Sequence, residues 1–203
     1  MRRRYDGDRA PDQRPGEEVP RGRAAAAAVA LQAAKSVHVA GTGPKGHLDA
    51  RIQHGSATGT LAPPGGHIEV TIIGRDGYLK TDQAGLKLIG APLPVQRRDA
   101  GRWLKVPASD FTSFSFAELA GELTRYYGPL EPKVRQATLN GRKVVVVSWR
   151  DGSTLHVANT GPAYPLRMEF KKGSNAGLYE FSEYGAPLHI TAPSDAINFS
   201  NAG

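Results

Sequence analysis

Residues 67–80 read HIEVTIIGRDGYLK. Ile68, Val70 and Ile72 alternate with His67, Glu69 and Thr71, the two-residue period of a strand with one buried face. Arg75, Asp76 and Gly77 then turn the chain into a second strand, Tyr78–Lys80. Two short strands joined by a tight turn read as one step of an antiparallel meander.

The same pattern recurs toward the N-terminus. Ala57–Leu61 is a strand closed by Pro63, Pro64, Gly65 and Gly66. Leu48, Ala50 and Ile52 alternate with Asp49, Arg51 and Gln53, and Val37 and Val39 alternate with His38 and Ala40. Before Ser36 the pattern changes. Ala24–Lys35 is Ala-rich, lacks Gly and Pro, and predicts a helix with a thin apolar face. Met1–Arg23 holds seven Arg against five acids, with Pro11, Pro15 and Pro20 and almost no apolar content. Such a segment cannot bury enough surface to offset its ordering entropy, so a disordered tail is expected over 1–23 and a single domain over 24–203.

Toward the C-terminus, Asp82 reads as the N-cap of a short helix over Gln83–Ile89, which Pro92 and Pro94 end. Gly101–Val106 is a strand. Ser115 followed by Glu118 fits a capping box for a helix over Phe116–Tyr127, with Phe116, Leu119, Ala120, Leu123 and Tyr127 at helical spacing. Strands return at Val134–Leu139, Lys143–Trp149, Thr154–Asn159, Leu166–Phe170, Leu178–Ser182 and Leu188–Thr191. The four consecutive valines at 144–147 predict a strand buried on both faces. The total is ten or eleven strands and two or three helices, with no internal repeat.

Composition removes several classes of function. The 203 residues contain no Cys, which excludes disulfides, thiolate metal sites, a Cys nucleophile and a lipid-modified Cys within the sequence. Two Met and 7% aromatic residues argue against a Met-rich groove or a haem pocket. No apolar run approaches the roughly 18 residues that span a bilayer. The net charge of +7 invites a nucleic-acid reading. Of that, +2 lies on the tail and +5 is spread over the domain, with knots at Arg97, Arg98, Arg102 and Lys105 and at Lys133, Arg135, Arg142 and Lys143. Interleaved stacking aromatics are missing apart from Trp103, so a solvated sheet face is the better account and no nucleic-acid partner is expected.

The local motifs carry no chemistry on their own. Gly41, Gly43 and Gly46 match a dinucleotide fingerprint, but Pro44 interrupts it and a strand rather than a helix follows, so a hairpin loop is expected. His47, His54 and His67 lie close in sequence without a carboxylate pair, so no metal is expected. His38, His156 and His189 fall on strand positions facing away from the apolar set and read as solvent-facing. There is no Gly-x-Ser-x-Gly elbow, and hydrolysis would need a Ser, a His and an acid brought together from distant positions. No catalytic residue and no cofactor are assigned. The apolar strand faces must be covered by few helices. Periodicity alone favours a fully packed core, and a greasy cavity remains if the helices do not fill the space.

The combined order of these pieces resembles the actinobacterial lipoprotein family of LppX and LprG, similar in fold to the carriers LolA and LolB. The resemblance runs over residues 24 to about 199. It is carried by Ala33–Gly41, Ala57–Leu61 with Ile68–Val70, Gly77–Lys80, Gly101–Pro107, Thr154–Ala158, Gly161–Arg167, Phe181–Tyr184 and Ala192–Ala196. It implies an α+β fold: a U-shaped, half-open antiparallel β-sheet with helices on its concave face, holding acyl chains between them. It implies a non-enzymatic lipid or lipoprotein carrier of the cell envelope, with a lipid or acylated molecule as ligand and a membrane surface nearby. On that reading the cavity wall is Val70, Ile72, Leu104, Val145, Val147, Leu155, Val157, Met168 and Phe170, and the lid is Leu119 and Leu123. The alternative is an envelope sensor or interaction module resembling RseB, which binds a membrane regulatory protein. Members of the family typically carry a leader peptide and a lipidated Cys. Neither is found here, so a missing or diverged leader is expected, with Met1–Arg23 resembling the tether.

Overall fold

The computed structural model describes residues 20–125, 129–173 and 176–199. The expected disordered tail therefore lies outside the described residues, apart from its last four, which are helical. Helix α1 spans Pro20–Ala33, beginning four residues earlier than the Ala-rich run predicts. Its buried residues Ala24, Ala27, Ala28 and Leu31 form one narrow stripe at i, i+3, i+4 and i+7. Small side chains along that stripe let α1 lie close to its neighbours.

Five strands follow as a meander: β1 (Ser36–Gly43), β2 (Gly46–Gln53), β3 (Ser56–Ala62), β4 (Ile68–Ile73) and β5 (Asp76–Thr81). Helix α2 (Gln83–Leu88) begins as the sequence predicts, with the Asp82 carboxylate accepting the Gly85 N–H at 2.7 Å. The prolines that were expected only to end it instead start a further helix, α3 (Leu93–Asp99), with Pro94 in its first turn. Proline lacks the N–H that the first turn leaves unpaired in any case, so it initiates as readily as it terminates. Strand β6 (Trp103–Pro107) and a 3-10 helix (Ala108–Phe114) lead into α4 (Phe116–Thr124). Ser115 caps α4 by accepting the Glu118 N–H. The predicted helix continued to Tyr127; Arg125 already has an extended backbone, and residues 126–128 lie outside the described residues.

The second half contributes β7 (Arg135–Leu139), β8 (Arg142–Ser148), β9 (Thr154–Ala158), β10 (Pro165–Phe170) and β11 (Gly177–Ser182). Asn140 and Gly141 join β7 to β8 with positive φ at both positions, the backbone that a two-residue hairpin of the right twist requires. The strand expected at Leu188–Thr191 is absent. A two-residue strand, β12 (Ile197–Asn198), pairs in parallel with β6 instead.

All twelve strands form one sheet in the order β12-β6-β5-β4-β3-β2-β1-β11-β10-β9-β8-β7. Every pairing except β12 with β6 is antiparallel, and β12 and β7 remain as edges, so the sheet is open. It is also curled. Leu104 on β6 and Val147 on β8, near opposite edges, belong to the same hydrophobic core. Helix α1 fills the hollow against α4 and strands β8, β9 and β10. The α+β architecture with helices on the concave face is the one the resemblance implies, with one or two more strands and helices than counted from sequence.

The outer face is partly covered. Val144, Val146 and Leu166 form a small second core with Tyr164 and Tyr184, which accounts for the four-valine run being buried on both sides. Residues 183–196 form a strap from the end of β11 toward β12. It is fastened where the Ser36 hydroxyl donates to the Ala186 carbonyl at 2.6 Å and where Tyr184 stacks on Tyr164 at 3.9 Å. His156 was expected in solvent; it is on the outer face as predicted, but its Nδ1 is buried without a hydrogen-bond partner. Burial, followed by the charges of Arg167 and Arg135, holds its pKa below the usual value.

Candidate functional site

Helix α4 crosses the concave face with Phe116, Ala120 and Leu123 buried and Leu119 half-buried. It is only nine residues long. Between the side of α4 that carries Glu118, Leu119, Glu122 and Leu123 and the sheet beneath it lies a cavity of about 380 Å³. Its floor is Val39 on β1, Leu48 on β2, Leu61 on β3, Met168 and Phe170 on β10, and Tyr179 and Phe181 on β11. Leu119 and Leu123 form the side supplied by α4.

The register explains why these residues meet. Val39 lies opposite Phe181, Gly41 opposite Tyr179, and Met168 opposite Tyr179 on its other side. All therefore point to the concave face. Phe170 meets the Tyr179 ring edge-on, with centroids 5.9 Å apart. Burial, then the nearby charge of Glu122, pushes the Tyr179 phenol above its ordinary pKa.

The rim is charged while the interior is apolar. Lys45, Gly46 and His47 border the opening from the β1–β2 turn, and Glu118, Glu122 and Arg125 border it from α4. Arg125 bridges the two carboxylates, at 2.6 Å from Glu122 and 3.3 Å from Glu118. The Glu118 carboxylate is thus committed to Arg125, so only the Ser115 half of the expected capping box is seen. An apolar recess behind a ring of polar groups is the usual form of a site that takes a greasy body and leaves a polar end in water.

A second cavity, of about 450 Å³, opens at the opposite end of the concave face. It lies between the β2–β3 turn and the 3-10 helix, lined by Ile52, Ile72, Phe111, Phe114 and Phe116 with His54, Ser56 and Thr112 around them. His54 packs on Phe116 at 4.9 Å. A third, of about 440 Å³, lies on the outer face beside Tyr164, Tyr184, Arg142 and Lys143.

The eleven residues expected on a lipid cavity divide between these places. Met168, Phe170, Leu119 and Leu123 line the first cavity, and Ile72 lines the second. Val70, Leu104, Val145, Val147, Leu155 and Val157 are buried elsewhere in the interior. Helix α1, packed on β8–β10, and the α2–α3 pair beside β5 fill much of the hollow that a bare sheet would leave. Val39, Tyr179 and Phe181 were not singled out from sequence. Each sits on an alternating strand, but their convergence depends on β1 pairing with β11 across some 140 residues, which no local pattern reports.

Hydrolysis would need a convergent Ser, His and acid, and one such set exists. On the outer face the His38 Nε2–H donates to Asp49 at 3.0 Å, and the Ser182 hydroxyl faces His38 Nδ1 at 3.3 Å. Glu183 stands 3.8 Å from the same Nδ1, and Arg51 pairs with both carboxylates. None of the three cavities includes Ser182, His38 or Asp49. The group ties the start of the strap, through Ser182 and Glu183, to β1 and β2. Among the described residues no cluster of His, Asp and Glu is arranged to hold a metal ion, and no helix is long and apolar enough to cross a membrane.

An open antiparallel sheet curled around helices, with an apolar recess between helix and sheet, defines a LolA-like α+β fold. Among solved structures, the chain is similar to LprF from Mycobacterium bovis, at 17% identity over 86% of this chain and 96% of that one, with a TM-score of 0.59. It is also similar to the lipoprotein LppX from Mycobacterium tuberculosis, at 13% identity over 85% of this chain and 98% of that one, with a TM-score of 0.54. At these identities the likeness is one of fold. A MucA/MucB complex from Pseudomonas aeruginosa aligns with a TM-score of 0.42, too low to bear on function. No family model and no curated protein matches the sequence.

Proposed function

We propose that this chain is a non-enzymatic binding protein of the cell envelope that holds an acyl chain between α4 and the curled sheet, leaving the ligand's polar end at the charged rim. The observation that carries this reading is the cavity itself: an apolar floor of Val39, Met168, Phe170 and Phe181 behind a rim of Lys45, Glu118, Glu122 and Arg125. The binding domain is the body from Pro20 onward, and residues 1–19 serve as a tether.

Size sets the ligand scale. At roughly 30 Å³ per water-sized group, 380 Å³ takes about a dozen methylenes, the scale of one acyl chain rather than several. A dozen buried methylenes yield about 10 kcal/mol of gross transfer energy. Association costs of at least about 4 kcal/mol leave at most about 6 kcal/mol, or a Kd no tighter than tens of micromolar. Retention of this kind requires no catalytic group.

Titration with a fluorescent long-chain acyl probe tests the reading. Saturable binding of one probe per chain, competed by unlabelled fatty acid, is the expected result. Absence of saturable binding, together with no lipid extractable from protein purified from its own cell, overturns it.

A further inference from the structure

Five large apolar side chains are well exposed among the described residues, and three of them fall within six positions. Leu88 is 53% exposed, Ile89 44% and Leu93 51%. They occupy the end of α2, its C-cap and the start of α3, the tip of a short helical hairpin. This tip is not an unfilled edge of the core. The hairpin already buries Leu86, Ala91 and Val95 on its inner side.

The tip is also held in shape. The Ala91 N–H donates to the Leu86 carbonyl at 3.0 Å, and the Gln96 side chain donates to the Ala91 carbonyl at 2.7 Å. Leu88 packs on the β3–β4 turn closely enough that a Cβ at Gly66 would lie 2.8 Å from its Cδ1.

The charges around the tip have one outward sign. Asp82 lies at the opposite end of α2 from the tip, where its carboxylate accepts the Gly85 N–H. Asp99 is buried, and hydrogen bonding from Arg98 holds its carboxyl below the usual pKa, with Arg102 nearby. Lys87 and Arg97 are exposed and make no ion pair among the described residues. Aliphatic side chains half-exposed at a fixed tip and flanked by cations are the chemistry of an interfacial anchor on anionic lipid. Three side chains are far short of the roughly 800 Å² per partner that a stable protein interface buries.

We propose that the Leu88–Leu93 tip docks on an anionic lipid bilayer, its aliphatic side chains entering the headgroup boundary and Lys87 and Arg97 facing lipid phosphates. Successive hairpins put the β1–β2 turn, the β3–β4 turn and this tip at the same end of the sheet. Docking therefore sets the cavity rim at Lys45 and His47 toward the bilayer. The proposal rests on the tip and not on what the cavity holds.

Vesicle flotation of the full chain tests it, using phosphatidylcholine vesicles with and without one-third phosphatidylglycerol. The variants are Leu88→Ser with Leu93→Ser, and Lys87→Glu with Arg97→Glu; all four positions are exposed, so folding is retained. The expected result is flotation with the anionic vesicles only, weakened by salt; it falls more than tenfold in the charge variant, since each cation is worth about fivefold at such a surface, and about tenfold or more in the leucine variant, which gives up the buried aliphatic area. Uptake of an acyl probe without vesicles is unchanged in both variants. Equal flotation with neutral vesicles, no flotation, or flotation indifferent to the substitutions overturns the proposal. So does concentration-dependent self-association that the leucine variant abolishes in the absence of lipid binding. Flotation by a chain that takes up no acyl probe upholds this proposal and overturns the reading of the cavity.

Discussion

The ring of Tyr179 stands where a side chain at Gly41 would begin: the two face each other across β1 and β11, and a Cβ at Gly41 would collide with the edge of the ring and with the Leu178 carbonyl oxygen of the same strand. The aromatic covers the glycine's bare backbone and forms part of the cavity floor. A substitution at Gly41 therefore acts on the site by displacing Tyr179 and by forcing β1 and β11 apart at Leu178.

Gly41→Val drives the Tyr179 ring from its place against β1. Overpacking of this kind costs about 1–3 kcal/mol. Urea denaturation should show that loss, and acyl-probe affinity should fall with it. Unchanged stability and affinity would mean that the ring is not held against the strand.

Leu119 lines the cavity from α4 and is only half-buried. Leu119→Trp puts an indole into or across the recess without emptying the core. Probe affinity should drop at least tenfold, about 1.4 kcal/mol, with little change in the thermal midpoint. Leu123→Ala tests the same helix from inside: its fully buried side chain should cost about 2–5 kcal/mol.

Ser115 holds the first turn of the cavity helix. Ser115→Ala removes the acceptor for the Glu118 N–H and should cost about 1 kcal/mol. Ser115→Asp should retain most of that stability, because a carboxylate accepts the same bond. Equal loss in both variants would point to something other than the cap.

His156 ties stability to pH. Its folded pKa lies below the ordinary 6.5 because its environment disfavours the charged form. The unfolded chain therefore binds the proton more readily, and stability is lost as pH falls through about 6.5 toward the folded value. His156→Gln should flatten the fall in thermal midpoint between about pH 7 and 5 relative to the parent chain. A parallel fall in both proteins would show that other groups carry the acid sensitivity.

Much of the sheet was legible in the sequence because its strands alternate cleanly. Ile68, Val70 and Ile72 announced both a strand and its inward face, and Asn140 with Gly141 announced a hairpin. The capping signals at Asp82 and Ser115 also located two helices. What stayed hidden depends on contacts distant in sequence. Pro92 and Pro94 read as a stop because nothing local shows the inward Val95 that makes α3 worth forming. His156 read as solvent-facing because the second core under Tyr184 is assembled by a strap that shows no period. The cavity is set by how α4 lies over a sheet whose two halves meet at β1 and β11. Periodicity marked Met168, Phe170, Leu119 and Leu123 as inward-facing, but it could not separate them from Leu155 or Val157, which face the same way in packed core.

The central claim is that the recess beneath α4 holds one acyl chain. Native mass spectrometry of the protein taken from its own cell tests it most directly. The claim predicts a bound species of one acyl-bearing molecule per chain, identified by lipid extraction, and its loss in Leu119→Trp. A bare polypeptide mass in the parent protein, with no lipid recovered and no acyl probe bound, would contradict it.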